Sequence, residues 1–166
     1  MDEIAKVLER VEKPSKVLVT GGMPYANGPL HVGHLAGALV PPDIYARFMK
    51  MVVGTDNVLF VCGTDDHGST SEVAAKKAGR PVREFIDEIH DRQAATLKRY
   101  SIGVDVYSGT SSPDNFEDHK AICQDALRKL YANGLLEKRT SKQWFDPGMN
   151  IFLADRYVVG PCPRCG

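Results

Sequence analysis

The chain has 166 residues, 43% hydrophobic and 25% charged, with a formal net charge of zero. That length can bury the core of one domain, and the composition fits a soluble globular class. The charge balance provides no global basic field to gather nucleic acid. No apolar run approaches the roughly 18 residues of a membrane span. The N-terminal MDEIAKVLERVEK is charged and amphipathic, unlike a signal peptide, so a cytoplasmic protein without a membrane partner is expected.

In chain order, Ile4, Val7, Leu8 and Val11 predict a short helix over 3–12, closed by Pro14-Ser15. Val17-Leu18-Val19-Thr20 reads as a buried strand. A turn-rich loop follows, Gly21-Gly22 and then Pro24-Tyr25-Ala26-Asn27-Gly28-Pro29, and His31-Val32-Gly33-His34 opens a helical pattern. Strand, Gly-rich loop and helix start together make an anion-binding design, because the helix N-terminus presents unpaired N–H groups. Gly33 permits close approach of a flat ring or a phosphate. The two histidines, three residues apart, share a face of the first turn and could donate to phosphate oxygens. On spacing alone such a pair is more often ordinary packing.

The helical pattern runs from Leu35 to Lys50. Pro41-Pro42 predicts a kink or a restart at Asp43, with Pro42 at the first helical position. Asn57–Gly63 is a continuous apolar run, as in a parallel strand covered on both faces. It delivers Asp65, Asp66 and His67 to the crevice at the sheet's carboxyl edge, where a carboxylate could hold an ammonium group. The plainer alternative is a polar turn. Helices are expected over 70–78 and 81–100, a strand over 104–107, and a helix from Ser112-Pro113-Asp114 to a C-cap at Asn133-Gly134. Alternating strands and helices give an α/β sheet. Beyond Leu135 the pattern turns β-rich, with strands expected over 135–140 and 141–145. Cys62 and Cys123 read as buried free thiols. Cys162-x-x-Cys165 reads as half a zinc site or a redox pair before a structural disulfide.

Three blocks, in order, resemble the methionyl branch of the class I aminoacyl-tRNA synthetases. Pro24-Tyr25-Ala26-Asn27-Gly28-x-x-His31-Val32-Gly33-His34 resembles the "HIGH" signature with its lead-in. Gly63-Thr64-Asp65-Asp66-His67-Gly68 is similar to the Gly-Thr-Asp-x-His-Gly pattern of the methionine enzymes, where the isoleucine and leucine enzymes have Gly-Trp-Asp. Trp144-Phe145-Asp146-Pro147 and Phe152–Cys165 resemble the approach to the family's zinc knuckle, with Ala154 in place of the usual Pro.

The resemblance implies a Rossmann-like parallel sheet, the first half of a synthetase catalytic domain, over 16–134. An N-terminal helix (1–15) would precede it, and the start of a β-rich zinc-knuckle insertion (135–166) would follow. It implies methionine activation by ATP and Mg²⁺ and transfer to tRNA(Met). Met23, Tyr25 and Asp65 would bind methionine, with Asp65 at its ammonium. Asn27, His31, Gly33 and His34 would bind ATP, with His31 and His34 catalytic at the phosphates. Cys162 and Cys165 would be half of a Zn²⁺ site whose other ligands are absent. The Lys-Met-Ser-Lys-Ser loop and the second half-sheet are also absent, so an incomplete fragment with little or no aminoacylation of its own is expected. Two rivals remain: a nucleotidyltransferase with its His-x-x-His loop, and a non-catalytic nucleotide- or methionine-binding module.

Overall fold

The computed structural model describes residue 6, residues 9–10, 13–153, 160–161 and 164–165. The helix expected over 3–12, the 154–159 block and Cys162 lie largely or wholly outside the described residues.

Three parallel strands form the main sheet, β1 (Val17–Thr20), β2 (Val58–Thr64) and β3 (Val106–Gly109), in the order β1-β2-β3. Val19 pairs with Phe60 and Cys62 with Tyr107. Between β1 and β2 run a short helix α1 (Val32–His34), a π-helical turn (Leu35–Leu39) and α2 (Val40–Val53). Between β2 and β3 run α3 (Ser69–Lys77) and α4 (Val82–Arg99). After β3 come α5 (Phe116–Ala132) and a two-stranded hairpin, β4 (Phe145–Asp146) with β5 (Ile151–Phe152).

The tandem prolines are absorbed differently from the expectation. The Val40 N–H reaches back five residues to Leu35 O, which makes the π turn, and α2 starts at Val40 rather than Asp43. Pro41 and Pro42 fall in the first turn of α2, just after the π turn, and the Ala38 carbonyl that Pro42 cannot serve accepts from the Gly22 N–H at 3.3 Å. β3 begins two residues late because the Asp105 carboxylate, rather than a backbone carbonyl, takes the Phe60 N–H at 2.8 Å. No strand forms over 135–144: Leu135 and Leu136 are 69% and 40% exposed, and an alternating run without a partner strand does not persist alone. The C-cap at Asn133-Gly134 is present, with Gly134 at φ 69°.

The core lies on one face of the sheet. Val19, Phe60 and Cys62 pack there with Leu39, Ala46 and Met49, and with Leu97 of α4. Phe60 and Leu39 have no exposed surface, and burial of each such side chain contributes roughly 1.5–3 kcal/mol. The other face is open, contrary to the expectation of cover on both sides. Leu18 (65% exposed), Leu59 (46%) and Val106 (48%) lie on it, and of the described elements only the start of α5 reaches its upper end, where Asn115 Nδ2 donates to Ser108 Oγ at 2.9 Å. Cys62 is buried as expected, whereas Cys123 is exposed: α5 has no buried residue, so its apolar stripe has no neighbour to cover the thiol.

Two ionic contacts fix the helices to the sheet edge. Asp43 accepts from Arg47 Nε at 2.8 Å and from the Gly103 N–H at 2.7 Å. Lys50 Nζ meets Asp105 at 2.7 Å. The Lys50 hydrogen bond, with the Phe60 N–H, holds the Asp105 carboxyl below its ordinary value. A depressed carboxyl stabilises the fold above its unfolded value, and that contribution is lost as pH falls through the folded one. The urea midpoint should therefore drop below about pH 4. Asp105→Asn should flatten this part of the pH profile; an unchanged slope there would sink the assignment.

Candidate functional site

The site is built at the carboxyl ends of β1 and β2, where a parallel sheet leaves a crevice. After Thr20 the chain stays tied to its neighbours: the Gly21 N–H donates to Val61 O (2.9 Å) and the Gly22 N–H to Ala38 O (3.3 Å). The loop then meets the end of β2 in an isolated parallel bridge between Tyr25 and Asp65. The Asp65 N–H donates to Pro24 O at 2.9 Å, and the Ala26 N–H to Asp65 O at 3.1 Å. Ala26, fully buried against Ile86 and Ile89, pins the crossing. Two residues forty apart in sequence are thereby set side by side: a 39%-exposed phenol ring and a half-buried carboxylate to which no described group donates. Met23, also exposed, lines an adjoining cleft of about 240 Å³ with Cys62, Ser108, Asn115 and His119.

One supporting residue escaped the sequence reading. Gln93 is 1% exposed, and its Nε2 donates to Tyr25 O (3.1 Å) and Gly28 O (2.8 Å). Its Oε1 accepts from Tyr107 OH at 3.1 Å. Burial holds the Tyr107 hydroxyl far above its ordinary value, so it stays a donor. The signal was present: Gln93 interrupts the stripe Ile86, Ile89, Leu97, a polar residue at a core-facing helical position. Such a side chain must find partners, and here they are the carbonyls of the signature loop.

The two histidines sit together, with rings stacked at 3.9 Å between centroids. They form a capping box. His31 Nδ1 accepts from the Gly33 N–H at 3.1 Å, and His34 Nδ1 accepts from the His31 N–H at 3.3 Å. In a neutral ring whose Nδ1 accepts, the proton is on Nε2. Both imidazoles thus hold the helix start with one nitrogen and keep an N–H on the other. A Cβ at Gly33 would lie 3.0 Å from His31 Cε1. On that side the close approach expected of a flat ring or phosphate is already taken by the imidazole. Asn27 is exposed on the loop.

Desolvation first, and the neighbouring His31 second, hold His34 below its ordinary value of 6.5. A base lowered on folding stabilises the fold fully above the unfolded value, and that contribution is lost as pH falls from there to the folded one. In an NMR titration His34 should reach its midpoint below 6.5, and His31→Ala should move it up. A midpoint at or above 6.5 in the parent chain would contradict the cap.

Asp66 departs from the expectation that it points into the crevice. It is 5% exposed, and its Oδ2 accepts from the Ser111 N–H (2.8 Å) and Oγ (2.9 Å), so it anchors the loop after β3. The β alternation that leaves Asp65 open turns Asp66 inward. His67 is exposed, with Nε2 3.4 Å from Thr110 O. Among the described residues no group of three His, Cys, Asp or Glu side chains converges on a metal position. Cys165 is described and exposed, but Cys162 is not, so the expected pair falls partly outside.

A parallel sheet with a looped, histidine-capped helix start after its first strand defines a Rossmann-like nucleotide-binding half-domain. A family model for class I tRNA synthetases (M) matches residues 17–166, nearly the whole chain, and the chain belongs to that family. It is 43% identical over 154 residues to the methionine–tRNA ligase of Cytophaga hutchinsonii, across 93% of this chain and 22% of that protein. It is 42% identical over 153 residues to the methionine–tRNA ligase of Chlamydia abortus, across 92% of this chain and 27% of that protein. The chain thus spans about a quarter of the length of these curated relatives. Among solved structures, Mycobacterium tuberculosis methionyl-tRNA synthetase in complex with methionyl-adenylate superposes with a TM-score of 0.54 at 30% identity, over 64% of this chain and 20% of that one. The LeuRS of Agrobacterium radiobacter K84, in a ternary complex, gives 0.67 at 24% identity over 95% of this chain and 20% of that one, which speaks to fold alone.

Proposed function

We propose that this chain supplies the methionine- and ATP-binding half-site of a methionine–tRNA ligase. The observation that carries the reading is the Tyr25–Asp65 bridge, which sets a carboxylate with no donor among the described residues beside an aromatic wall, in a chain whose relatives are methionine–tRNA ligases. Asp65 takes the methionine ammonium, and Met23 and Tyr25 flank its side chain. Asn27, Gly33 and the outward N–H groups of His31 and His34 take ATP. A methionine carboxylate oxygen attacks the α-phosphorus; the bond to the bridging oxygen breaks, and pyrophosphate leaves with the electron pair. The carboxylate is already ionised, so no general base is required. Negative charge grows on the phosphoryl oxygens, and fixed donors there lower the barrier, typically by about 3–4 kcal/mol each. Mg²⁺ accompanies ATP and shields its phosphates. The tRNA(Met) 3′ hydroxyl then attacks the adenylate carbonyl, and AMP departs. Residues 16–134 form the half-domain, and 135–166 begin an insertion in which Cys162 and Cys165 contribute to a zinc site. The setting is cytoplasmic translation.

The test is methionine binding to the chain, followed by calorimetry. Asp65→Asn keeps the shape and removes the charge, and should weaken binding by about 100-fold, the scale of a lost partly buried ion pair. Wild-type affinity in that variant, with methionine still seated beside Tyr25, would overturn the assignment.

A further inference from the structure

Two aspartates stand side by side just past the end of β2, and only one faces the site. Asp65 is half-buried with no donor to its side chain among the described residues, whereas Asp66 is 5% exposed and turned inward. The two side chains are chemically identical, so what separates them is the berth each is offered. A buried carboxylate is unfavourable unless donors meet it. The berth of Asp66 comes from the loop after β3. The Thr110 N–H donates to Thr64 O at 3.0 Å, and the Asp66 N–H donates to Thr110 Oγ1 at 3.0 Å. The Ser111 N–H and Oγ both donate to Asp66 Oδ2, at 2.8 and 2.9 Å, while Oδ1 is buried with no partner among the described residues. Behind Ser111 stands a cation from a third element. Arg83, in the first turn of α4, donates from Nη1 to Ser111 O and, at 3.0 Å, to Ser111 Oγ. Asp87 sets the guanidinium fork, taking Nε at 3.0 Å and Nη2 at 2.7 Å. The Ser111 hydroxyl thus accepts from a guanidinium and donates to a carboxylate, and a hydroxyl polarised in this way is a stronger donor.

We propose that Arg83 and Ser111 are positioning residues for methionine: together they hold the Asp66 charge inward and so keep Asp65 as the carboxylate presented in the crevice. The proposal rests on the reading of Asp65 as the ammonium partner and adds what selects it over its neighbour. Side chains along an extended strand point alternately to its two faces, so Asp65 faces the crevice only while Asp66 faces away. On its other side Asp65 is held through its backbone, by Pro24 O at 2.9 Å and the Ala26 N–H at 3.1 Å. Without the cation the buried Asp66 charge loses support, the strand end is drawn toward water, and Asp65 is misplaced. The influence of Arg83 on Asp65 runs through Ser111 and Asp66.

The experiment is calorimetry of methionine and of ATP on the full chain, with amide hydrogen exchange followed by NMR on the same samples. Arg83→Gln removes the charge from a side chain that is 45% exposed, so the fold is kept. It should weaken methionine about tenfold, the scale of one charge-assisted hydrogen bond, and leave ATP unchanged. It should also speed exchange at the Ser111 and Asp66 amides. Ser111→Ala should act in the same direction. Arg83→Lys should recover part of the methionine affinity, since the charge remains and the fork does not. In an Asp66→Asn background, where no charge has to be held, Arg83→Gln should weaken methionine no further; a general loosening of the loop would still weaken it. Arg92→Gln, on the same helix and paired with Glu88, should behave as the parent. Equal losses of methionine and ATP in Arg83→Gln, or the same tenfold loss in the Asp66→Asn background, would overturn the proposal. Methionine bound alike by the parent and by Arg83→Gln counts against the positioning role alone. Methionine bound by neither, with the Ser111 and Asp66 amides still released in Arg83→Gln, counts against the ligase half-site alone.

Discussion

Gly63→Ala is expected to separate β3 from β2 and to destabilise the chain by about 3 kcal/mol or more, most of what a small domain has to lose. A Cβ built on Gly63 would sit 1.9 Å from Ser108 O and 2.9 Å from Ser108 C. Both are backbone atoms of the paired strand, opposite Gly63 in the register, so no side-chain rotation relieves the contact. The damage reaches the site because Asp65 lies two residues on and is positioned by the end of the same strand. Methionine binding should fall together with the urea midpoint. Gly37→Ala is the control: nothing lies within 4 Å of its Cβ position, and in a helical turn the change should be neutral or stabilising by about 1 kcal/mol. A Gly63→Ala chain with the parent's midpoint would show that the two strands part more easily than the register allows.

Gln93→Leu should cost about 2–4 kcal/mol, because it strands buried groups rather than removing a contact alone. Tyr25 O and Gly28 O lose their shared donor, and Tyr107 OH loses its acceptor. The loop that carries Tyr25, Asn27 and Gly28 then loses its hydrogen bonds to α4 and keeps the Asp65 backbone bonds and the packing of Ala26 against Ile86 and Ile89. Ligand affinity should fall by more than global unfolding explains, measured at a temperature where the variant is fully folded. Gln93→Glu separates the two parts of the effect, since it keeps an acceptor for Tyr107 and gives up the donor. If Gln93→Leu bound methionine and ATP as the parent does while being less stable, Gln93 would be a core residue without influence on the site.

The elements closest to local rules were the most legible. β1 and β2, α3 and α4, and the Asn133-Gly134 cap follow from β-branched runs, apolar periodicity and glycine punctuation, and their ends move by only a residue or two. The prolines were read correctly as a disturbance but placed wrongly. A π turn is a five-residue backbone solution that leaves no periodic trace, and it let α2 begin before Pro41 instead of after it. The failures share one cause. Leu135–Thr140 has the alternation of a strand and Cys123 the periodicity of a core residue, yet each needs a neighbour to be buried against, and none lies there.

The sequence by itself determined the chemistry on offer: a strand feeding a looped, histidine-marked helix start, a second strand ending in carboxylates, and motif blocks in an order that placed the chain in its family. These are properties of residue type and spacing along one segment. Only the tertiary structure decided which of those groups are available. Strand alternation and the loop after β3 turned Asp66 inward and left Asp65 open. A backbone bridge set Asp65 against Tyr25. Reciprocal capping fixed which nitrogen of each imidazole carries the proton. Gln93, a polar residue at a core-facing helical position, came to face the loop. Apart from the local histidine cap, these depend on contacts between segments far apart in sequence, which local propensity does not encode.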